Sequence, residues 1–316
     1  MSKKAFIIGI TGQDGAYLSR FLLDKNYLVY GYTRSVSKKN LLNLNILKTI
    51  NNVKIYQYLE SNPKKILNDI KRLQPNEIYY FSGQSSVKES FKNPIQTYDS
   101  NLSTLYKILE LLRINNLKKI KIYNSSSTDC FGNNAKIFNK EKDIFKPMSP
   151  YARAKSFSFW LMKYYREVYR LHSKNGILSN HESPLRPDKF VISKVINHVK
   201  NKKKTYLKLG NIDVYRDWGW APDYVEAIYK INTAKKAKDY VVGTGKITSL
   251  KTIINKIFIM TKTHKKYLKK NLSTFIRPSD VLKIGTNPEK LKKELKWKTK
   301  VNLDNLIKKM YLNELY

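Results

Sequence analysis

A tyrosine and a lysine four residues apart are suited to proton transfer. Tyr151 and Lys155 follow Ser149-Pro150, a pair typical of the start of a helix. On a helix, residues four apart lie on one face. We therefore expect the lysine charge to lower the pKa of the Tyr151 phenol, so that it accepts a proton near neutral pH. Because Tyr-x-x-x-Lys is common in helices, the pair alone is not specific.

A cluster of hydroxyl side chains precedes this helix. Ser127 begins the run Ser-Thr-Asp-Cys-Phe-Gly, which follows a predicted strand. A serine hydroxyl can bridge a substrate hydroxyl and the Tyr151 oxygen. Ser127, Tyr151 and Lys155 together therefore predict proton abstraction from an alcohol.

A glycine-rich segment connects the first predicted strand, residues 4–10, with the first predicted helix, residues 16–25. Its glycines allow a tight turn and a close approach of the backbone to a pyrophosphate. The following helix start adds free N–H groups and the positive end of the helix dipole. This placement predicts a dinucleotide site, whereas a tight turn without a ligand is the alternative. Its expected cofactor-binding residues are Gly9, Thr11, Gly12, Gln13, Asp14 and Gly15.

The residues after the second predicted strand indicate which dinucleotide binds. An NAD site usually places an acid there to hold the ribose hydroxyls. This chain instead has Arg34, with Lys38 and Lys39 nearby, and no acid between Lys25 and Leu59. A cation suits a 2′-phosphate, so we expect NADP. The alternative is that Arg34 is only a solvated surface charge.

Strands and helices are predicted to alternate along the first half of the chain. The expected strands cover residues 4–10, 27–32, 53–59, 77–81, 119–123, 176–180 and 240–242. The expected helices cover residues 16–25, 63–73, 95–115, 151–172, 289–295 and 303–315. This order predicts an α/β fold, a Rossmann-type doubly wound parallel sheet with a smaller mixed α/β substrate-binding lobe.

The composition limits the classes of protein. Lys and Arg number 61 against 24 Asp and Glu, a net charge of +37. This charge raises the alternative of a nucleic-acid-binding protein on a disused enzyme fold. However, the cations are mostly lysines spread along the chain, and no compact basic block with aromatic residues occurs, so we regard nucleic acid as an unlikely partner. The single cysteine, Cys130, and the absence of a long apolar run predict a cytoplasmic protein without a membrane span. No metal site is expected.

Several longer blocks are more specific than these general motifs. They are Ile10-Thr11-Gly12-Gln13-Asp14-Gly15-Ala16-Tyr17-Leu18, Gly83-Gln84-Ser85-Ser86-Val87, Asn180-His181-Glu182-Ser183-Pro184-Leu185-Arg186, Gly210-Asn211-Ile212-Asp213, Arg216-Asp217-Trp218-Gly219, Asp223-Tyr224-Val225-Glu226-Ala227 and Arg277-Pro278-Ser279-Asp280. With these blocks the chain resembles the extended short-chain dehydrogenase/reductases over almost its whole length. Among them it most resembles the GDP-mannose 4,6-dehydratase family.

The resemblance implies a lyase with an internal redox cycle. NADP would take a hydride from C4 of GDP-mannose while Tyr151 takes the hydroxyl proton. A carboxylate would then remove the C5 proton, water would leave from C6, and the hydride would return to C6. In the family a threonine and a glutamate hold the positions of Ser127 and Asp129, so the carboxylate here is one methylene shorter. Asp129 is the expected C5 base, and a capping acid is the alternative.

The resemblance also assigns binding residues. His181 and Arg186 are expected to join the glycine-rich segment and Arg34 at the cofactor. At the adenine side the family usually has Asp-Leu, where this chain has Tyr58 and Leu59. Leu59 is the expected contact, unless Tyr58 packs there or the register is shifted. Expected substrate-binding residues are Ser85, Asn180, Lys194, Arg216, Arg277 and Asp280, although each arginine could instead form a structural salt bridge.

Domain limits and assembly follow from the same resemblance. We expect residues 1–178 and 219–245 to form the NADP-binding Rossmann domain, and residues 179–218 and 246–316 the GDP-sugar-binding lobe. We also expect a homo-oligomer, either a dimer or a tetramer. Two alternative activities stay open: an NADP-dependent reductase or epimerase without a C5 base, and a dehydratase of another GDP-sugar such as GDP-manno-heptose.

Overall fold

The computed structural model describes residues 2–60, 62–134, 136–201, 206–264, 268–269 and 278–316. The strands are β1 (Lys4–Ile8), β2 (Leu28–Thr33), β3 (Lys54–Gln57), β4 (Glu77–Tyr80), β5 (Lys121–Ser127), β6 (Phe138–Asn139), β7 (Ser173–Leu178), β8 (Asn180–Glu182), β9 (Leu207–Lys208), β10 (Tyr215–Arg216), β11 (Trp218–Trp220), β12 (Tyr240–Val242), β13 (Thr248–Ser249), β14 (Leu268–Lys269) and β15 (Lys283–Thr286). The helices are α1 (Gln13–Leu23), α2 (Leu42–Ile46), α3 (Lys64–Leu73), α4 (Val87–Lys92), α5 (Pro94–Ile114), α6 (Pro150–Tyr169), α7 (Val191–Lys200), α8 (Ala221–Thr233), α9 (Leu250–Met260), α10 (Glu289–Leu295) and α11 (Leu303–Leu312). Within these ranges, no helix combines the length and the apolar character that crossing a membrane requires.

The largest sheet has seven parallel strands in the order β12-β7-β5-β4-β1-β2-β3. The chain runs outward from β1 to β3 and then returns to β4 on the other side of β1. In doubly wound sheets, ligands bind at this reversal, beyond the carboxyl ends of the strands. The predicted Rossmann-type fold is confirmed.

Two hydrophobic layers cover the faces of this sheet. On one face α1 and α8 bury apolar side chains that include Ala16, Leu18, Leu22, Val225 and Ile228. On the other face α3 and α5 bury a second set that includes Ile66, Ile70, Leu105, Ile108 and Leu109. Because both faces are covered, most residues of these strands are buried, including polar residues of β5 and β7 such as Asn124 and Asn175.

The fifth strand is longer than the sequence predicts. β5 continues through Asn124 and Ser125 to Ser127, although a run of Asn and Ser is more typical of a loop. The fold supplies partners for these buried groups, since Asn124 donates to the Asn175 side chain at 2.9 Å. The strand predicted over residues 119–123 was therefore wrong at its carboxyl end. The observed strand extends to Ser127, so this residue lies at the carboxyl end of β5.

Other observed helix and strand boundaries differ from the predicted ones by a few residues. α1 begins at Gln13 rather than at residue 16, so the helix starts inside the glycine-rich segment. α6 ends at Tyr169 because Arg170 adopts a left-handed conformation, with φ 60°. The strand predicted over residues 176–180 is two strands, β7 in the large sheet and β8 beside β11.

A smaller lobe contains short strands and three helices. Its four-stranded sheet has the order β13-β10-β15-β6, and α7, α9 and α11 share a separate core. The predicted division by residue range stays a prediction. α10, which that division places in the smaller lobe, buries Leu291 in the core of the large sheet, as does the nearby Trp297. Asp223 of α8 holds this segment by accepting from the backbone N–H groups of Lys300 and Val301.

Candidate active site

The glycine-rich segment lies at the reversal of the sheet. Gly9 has φ 93°, which favours glycine, and its N–H donates to Tyr32 O at 2.8 Å. A Cβ on Gly15 would lie 2.4 Å from Gly9 O, so only glycine allows α1 to pack this closely on the turn. A Cβ on Gly12 would meet only Gly9 O, at 3.4 Å, and Gly12 has no side chain to cap α1. The space above Gly12 and the exposed helix start fit a phosphate group.

The loop side chains are fixed by the neighbouring strand ends. The Thr11 hydroxyl lies 3.1 Å from the Thr33 hydroxyl at the end of β2. Asn43 donates to Thr11 O at 3.1 Å. These contacts hold the turn against β2, where the ribose end of a dinucleotide would lie.

Arg34 follows β2 directly, and the guanidinium is about half exposed. Its Nη1 atom lies 3.6 Å from Glu60 Oε1, across the end of β3. Burial raises the pKa of Glu60, although the Arg34 charge opposes the shift. Glu60 was not predicted as a site residue. The sequence feature that could have identified it is that it is the first acidic residue after Asp24.

At the adenine side of the site, Tyr58 and Leu59 have different surroundings. Leu59 is 63% exposed and lines a surface cleft with Glu60, Asn93 and Ile95. Tyr58 is buried instead, and its hydroxyl lies 2.7 Å from Ser82 Oγ. Tyr58 therefore packs inside the protein, and Leu59 is the residue of the pair that faces solvent.

The proton-transfer residues are carried by β5 and α6. Ser149 caps α6 by accepting from Ala152 N at 3.1 Å, and Tyr151 and Lys155 lie on the first turns of that helix. Ser127 ends β5 and begins a short 3-10 helix, Thr128–Phe131. The structure therefore brings the carboxyl end of β5 and the amino end of α6 to one place.

The electrostatics of Tyr151 differ from the expectation. Burial and then the Asp129 charge raise the pKa of the Tyr151 phenol, whereas the Ser127 hydrogen bond and the Arg186 charge lower it. Burial also lowers the pKa of Lys155 to about 8. Burial and Asp129 dominate the pKa of Tyr151, so the lowering expected from Lys155 is not observed.

Asp129 faces a narrow cleft between the two lobes. The cleft is lined from the large lobe by Val87, Asp129, Met148, Ser149 and Ala152, and from the other side by Arg216, Ser279, Asp280 and Val281. Ser127, not Asp129, caps the 3-10 helix, because the Ser127 hydroxyl accepts from Asp129 N at 3.2 Å. This geometry argues against Asp129 as a mere capping acid and leaves its carboxylate at the cleft.

Arg216 is a buried residue of the cleft wall. Its Nη2 atom lies 3.4 Å from Asp280 Oδ1, and Nη1 donates to Tyr215 O at 2.9 Å. The ion pair was one of the alternatives predicted from the sequence. Both partners line the cleft.

The other residues expected to bind the substrate lie on separate parts of the chain. Ser85 is exposed in the loop between β4 and α4, and Asn180 begins β8. Lys194 of α7 donates to Lys208 O at 2.7 Å. Arg277 lies outside the described residues.

His181 contacts the first turn of α1, whereas the contacts of Arg186 are within its own segment. His181 lies 3.0 Å from Asp14, and Arg186 Nε lies 3.2 Å from Glu182 Oε2. The Arg186 guanidinium also lies over Phe190, at 4.1 Å from the ring centroid. Ser183 donates to Gln13 Oε1 at 2.8 Å, a contact missed from the sequence although Ser183 lies within a quoted motif.

Comparisons with known proteins identify related sequences. The family model for GDP-mannose 4,6 dehydratase matches residues 6–310. The GDP-mannose 4,6 dehydratase of Dictyostelium discoideum is 33% identical and covers 99% of this chain and 96% of its own length. GDP-mannose 4,6 dehydratase 1 of Arabidopsis thaliana is 36% identical and covers 99% of this chain and 90% of its own length.

Solved structures share the fold at low identity. A dTDP-glucose 4,6-dehydratase from Bacillus anthracis in complex with NAD has a TM-score of 0.86 and 19% identity, over 98% of this chain and 96% of that chain. A UDP-glucose 4-epimerase from Thermotoga maritima has a TM-score of 0.87 and 22% identity, over 98% of both chains. These likenesses establish the fold.

Proposed function

This chain belongs to the GDP-mannose 4,6-dehydratase family, and we propose that it converts GDP-mannose to GDP-4-keto-6-deoxymannose and water. The observation that carries this proposal is the position of Asp129. Its carboxylate faces the cleft between the lobes, beside Ser149 at the start of the helix that carries Tyr151 and Lys155. A reductase or an epimerase needs the alcohol-handling residues but no carboxylate at this place.

The residues divide the work between two proton transfers. A nicotinamide cofactor bound at the glycine-rich segment supplies hydride acceptance and donation. Tyr151 takes the proton of the C4 hydroxyl, and the Ser127 hydroxyl orients that group. The 4-ketone acidifies the C5 proton, which Asp129 removes and passes to the C6 hydroxyl as that group leaves as water. Hydride addition at C6 and return of one proton to C5, matching the one that Tyr151 took from the C4 hydroxyl, complete the product. Arg216 and Asp280 line the same cleft, and Arg216 is suited to bind a phosphate group.

A single incubation tests the activity. The protein is mixed with GDP-mannose and NADP+, and the nucleotide sugar is followed by mass spectrometry. We expect the loss of one water without net formation of NADPH. An unchanged mass would contradict the proposal for GDP-mannose, and the same assay with GDP-manno-heptose would then test the alternative substrate.

We propose NADP(H) as the cofactor because Arg34 follows β2 where NAD sites usually have an acid. Arg34→Ala is expected to weaken NADP+ binding about tenfold, the usual order for a lost charge-assisted hydrogen bond, and to leave NAD+ binding unchanged. Calorimetric titration of each dinucleotide measures both affinities. Arg72→Ala, which removes an exposed arginine of α3, is the control. Equal weakening of both dinucleotides would contradict the assignment.

We also propose a homodimer that forms through α5 and α6. These helices pack together and leave exposed apolar side chains at Tyr106, Phe157, Trp160, Tyr164 and Val168, four of them at helical spacing on α6. Exposed apolar faces of this kind usually mark an interface. Lys163 and Glu167 lie on the same helix and pair with each other at 3.9 Å. In a two-fold dimer the same stripe of each copy would face the other. Sedimentation equilibrium measures the mass, and a monomer at micromolar concentration would contradict the proposal.

A further inference from the structure

A buried polar network joins the first turn of α1 to β8. His181 Nε2 lies 3.0 Å from both carboxylate oxygens of Asp14, and Nδ1 lies 2.7 Å from Ser179 O. Gln13 Nε2 donates to Asp14 Oδ1 at 3.0 Å and lies 3.3 Å from His181 O. The Ser183 hydroxyl donates to Gln13 Oε1 at 2.8 Å. We call Gln13, Asp14, His181 and Ser183 the α1–β8 network.

The hydrogen-bond partners determine the protonation state of His181. A neutral imidazole carries one N–H group, and its other nitrogen accepts. Here Nδ1 faces a backbone carbonyl and Nε2 faces a carboxylate, and both partners are acceptors. An imidazolium opposite an ionised Asp14 satisfies both contacts. The ring is also enclosed by Tyr224, which stacks on it at 4.7 Å between centroids.

The contacts of the two ring nitrogens limit how His181 can act on the cofactor. Because both ring nitrogens are occupied by protein groups, the imidazole has no free nitrogen to offer a dinucleotide. Asp14, by contrast, lies in the first turn of α1, where the backbone N–H groups face the phosphate position. An unpaired carboxylate there would repel the phosphates through a poorly screened interior.

We propose that His181 is a positioning residue that acts on the cofactor through Asp14. As an imidazolium it fixes the Asp14 carboxylate and cancels its charge below the phosphate-binding turn. Through Gln13 and Ser183 the same contact fixes the turn against β8. This inference rests on the proposed function only in taking the ligand of that turn to be NADP(H).

The charges around the pair agree with this assignment. Burial disfavours the imidazolium, but the Asp14 carboxylate outweighs it, so the pKa of His181 is raised above 6.5. Burial likewise opposes ionisation of Asp14, but His181, Gln13 and Arg186 lower its pKa below 3.8. The other titratable or charged groups that act on the pair are Tyr17, Tyr123, Lys155, Glu182 and Arg186.

The direction of the pH effect follows from the raised pKa. The favourable contribution of the pair is fully present below pH 6.5 and is lost as the pH rises through the pKa of folded His181. Asp14 has the opposite dependence and loses its contribution only as the pH falls below 3.8. NADP+ should therefore bind more weakly as the pH rises above 6.5.

Calorimetric titration of NADP+ between pH 6 and pH 9 tests the inference. We expect wild-type affinity to fall about tenfold across this range, the order of a charge effect at a helix start. Asp14→Asn should remove this dependence, since the amide keeps its size but carries no charge. Protonation of the NADP+ 2′-phosphate affects the affinity of wild type and of Asp14→Asn equally. The test is therefore the difference between the pH profiles of the two proteins. Asp24→Asn, which changes an exposed acid just after α1, should retain the wild-type dependence. An Asp14→Asn profile parallel to wild type would overturn the inference.

A second measurement needs neither cofactor nor substrate. The chain has four histidines, so ring signals of histidine-labelled protein can be followed individually by NMR. We expect the signal that disappears in His181→Gln to titrate above pH 6.5 in wild type and at lower pH in Asp14→Asn. Titration of the wild-type His181 signal at or below pH 6.5 would overturn the inference, whether or not Asp14→Asn folds. A protein inactive on GDP-mannose would still give this result, so the two proposals fail separately.

Discussion

Replacing Asp129 with asparagine is expected to stop the reaction after the first hydride transfer. The amide cannot accept the C5 proton, so we expect dehydration to slow about a thousandfold, within the usual range for a lost general base. Oxidation at C4 needs only Ser127, Tyr151 and Lys155 and should continue. Rapid mixing with GDP-mannose should therefore show reduced cofactor in proportion to enzyme, while mass spectrometry shows no loss of water.

Two further variants make this result specific. Asp129→Glu restores the carboxylate length of the family and should retain dehydration within about tenfold of wild type, because base geometry is sensitive at about 1 Å. Asp304→Asn removes an exposed acid that pairs with Lys256 and should change nothing. Full dehydration by Asp129→Asn would mean that another group removes the C5 proton.

Replacing Tyr151 with phenylalanine is expected to abolish both halves of the cycle. Without the phenol no group accepts the C4 hydroxyl proton, so we expect the first hydride transfer to slow about a thousandfold. The ring remains, so GDP-mannose binding should change little. Single-turnover absorbance measures the hydride step, and calorimetry measures the binding. Tyr206→Phe, at an exposed position outside the cleft and the proposed dimer interface, is the control, and a comparable loss there would contradict the assignment.

The pH dependence of this step follows from the surroundings of Tyr151. Because burial and Asp129 raise the pKa of the phenol, the base form is scarce near neutral pH, and the rate of the hydride step should increase with pH. Lys155 has a pKa of about 8, so it is charged near neutral pH, below the pKa of the phenol, and loses that charge as the pH rises. In Lys155→Met the increase should therefore begin at higher pH, as the nearby cation is absent throughout. An unchanged profile would mean that Lys155 does not influence the phenol.

The local features of the site could be predicted from the sequence. Glycine spacing between a strand and a helix determines a turn that approaches a phosphate, and Ser-Pro followed by Tyr151 and Lys155 determines a helix start with both side chains on one face. These features depend on residues a few positions apart, whose backbone conformation is set by neighbouring side chains. The alternation of strands and helices likewise determined the doubly wound sheet.

The contacts between distant parts of the chain were decided only by the tertiary structure. Asp14 and His181 are 167 residues apart, and Arg216 and Asp280 are 64 apart, so no local pattern pairs them. The predicted strand over residues 119–123 ended before the polar part of β5, because the partners of Asn124 come from β7 and α6. The raised pKa of the Tyr151 phenol also arises only in the folded chain, because it comes from burial and from the nearby Asp129 charge. Burial and long-range charge depend on the position of every element at once, whereas a sequence pattern describes one element at a time.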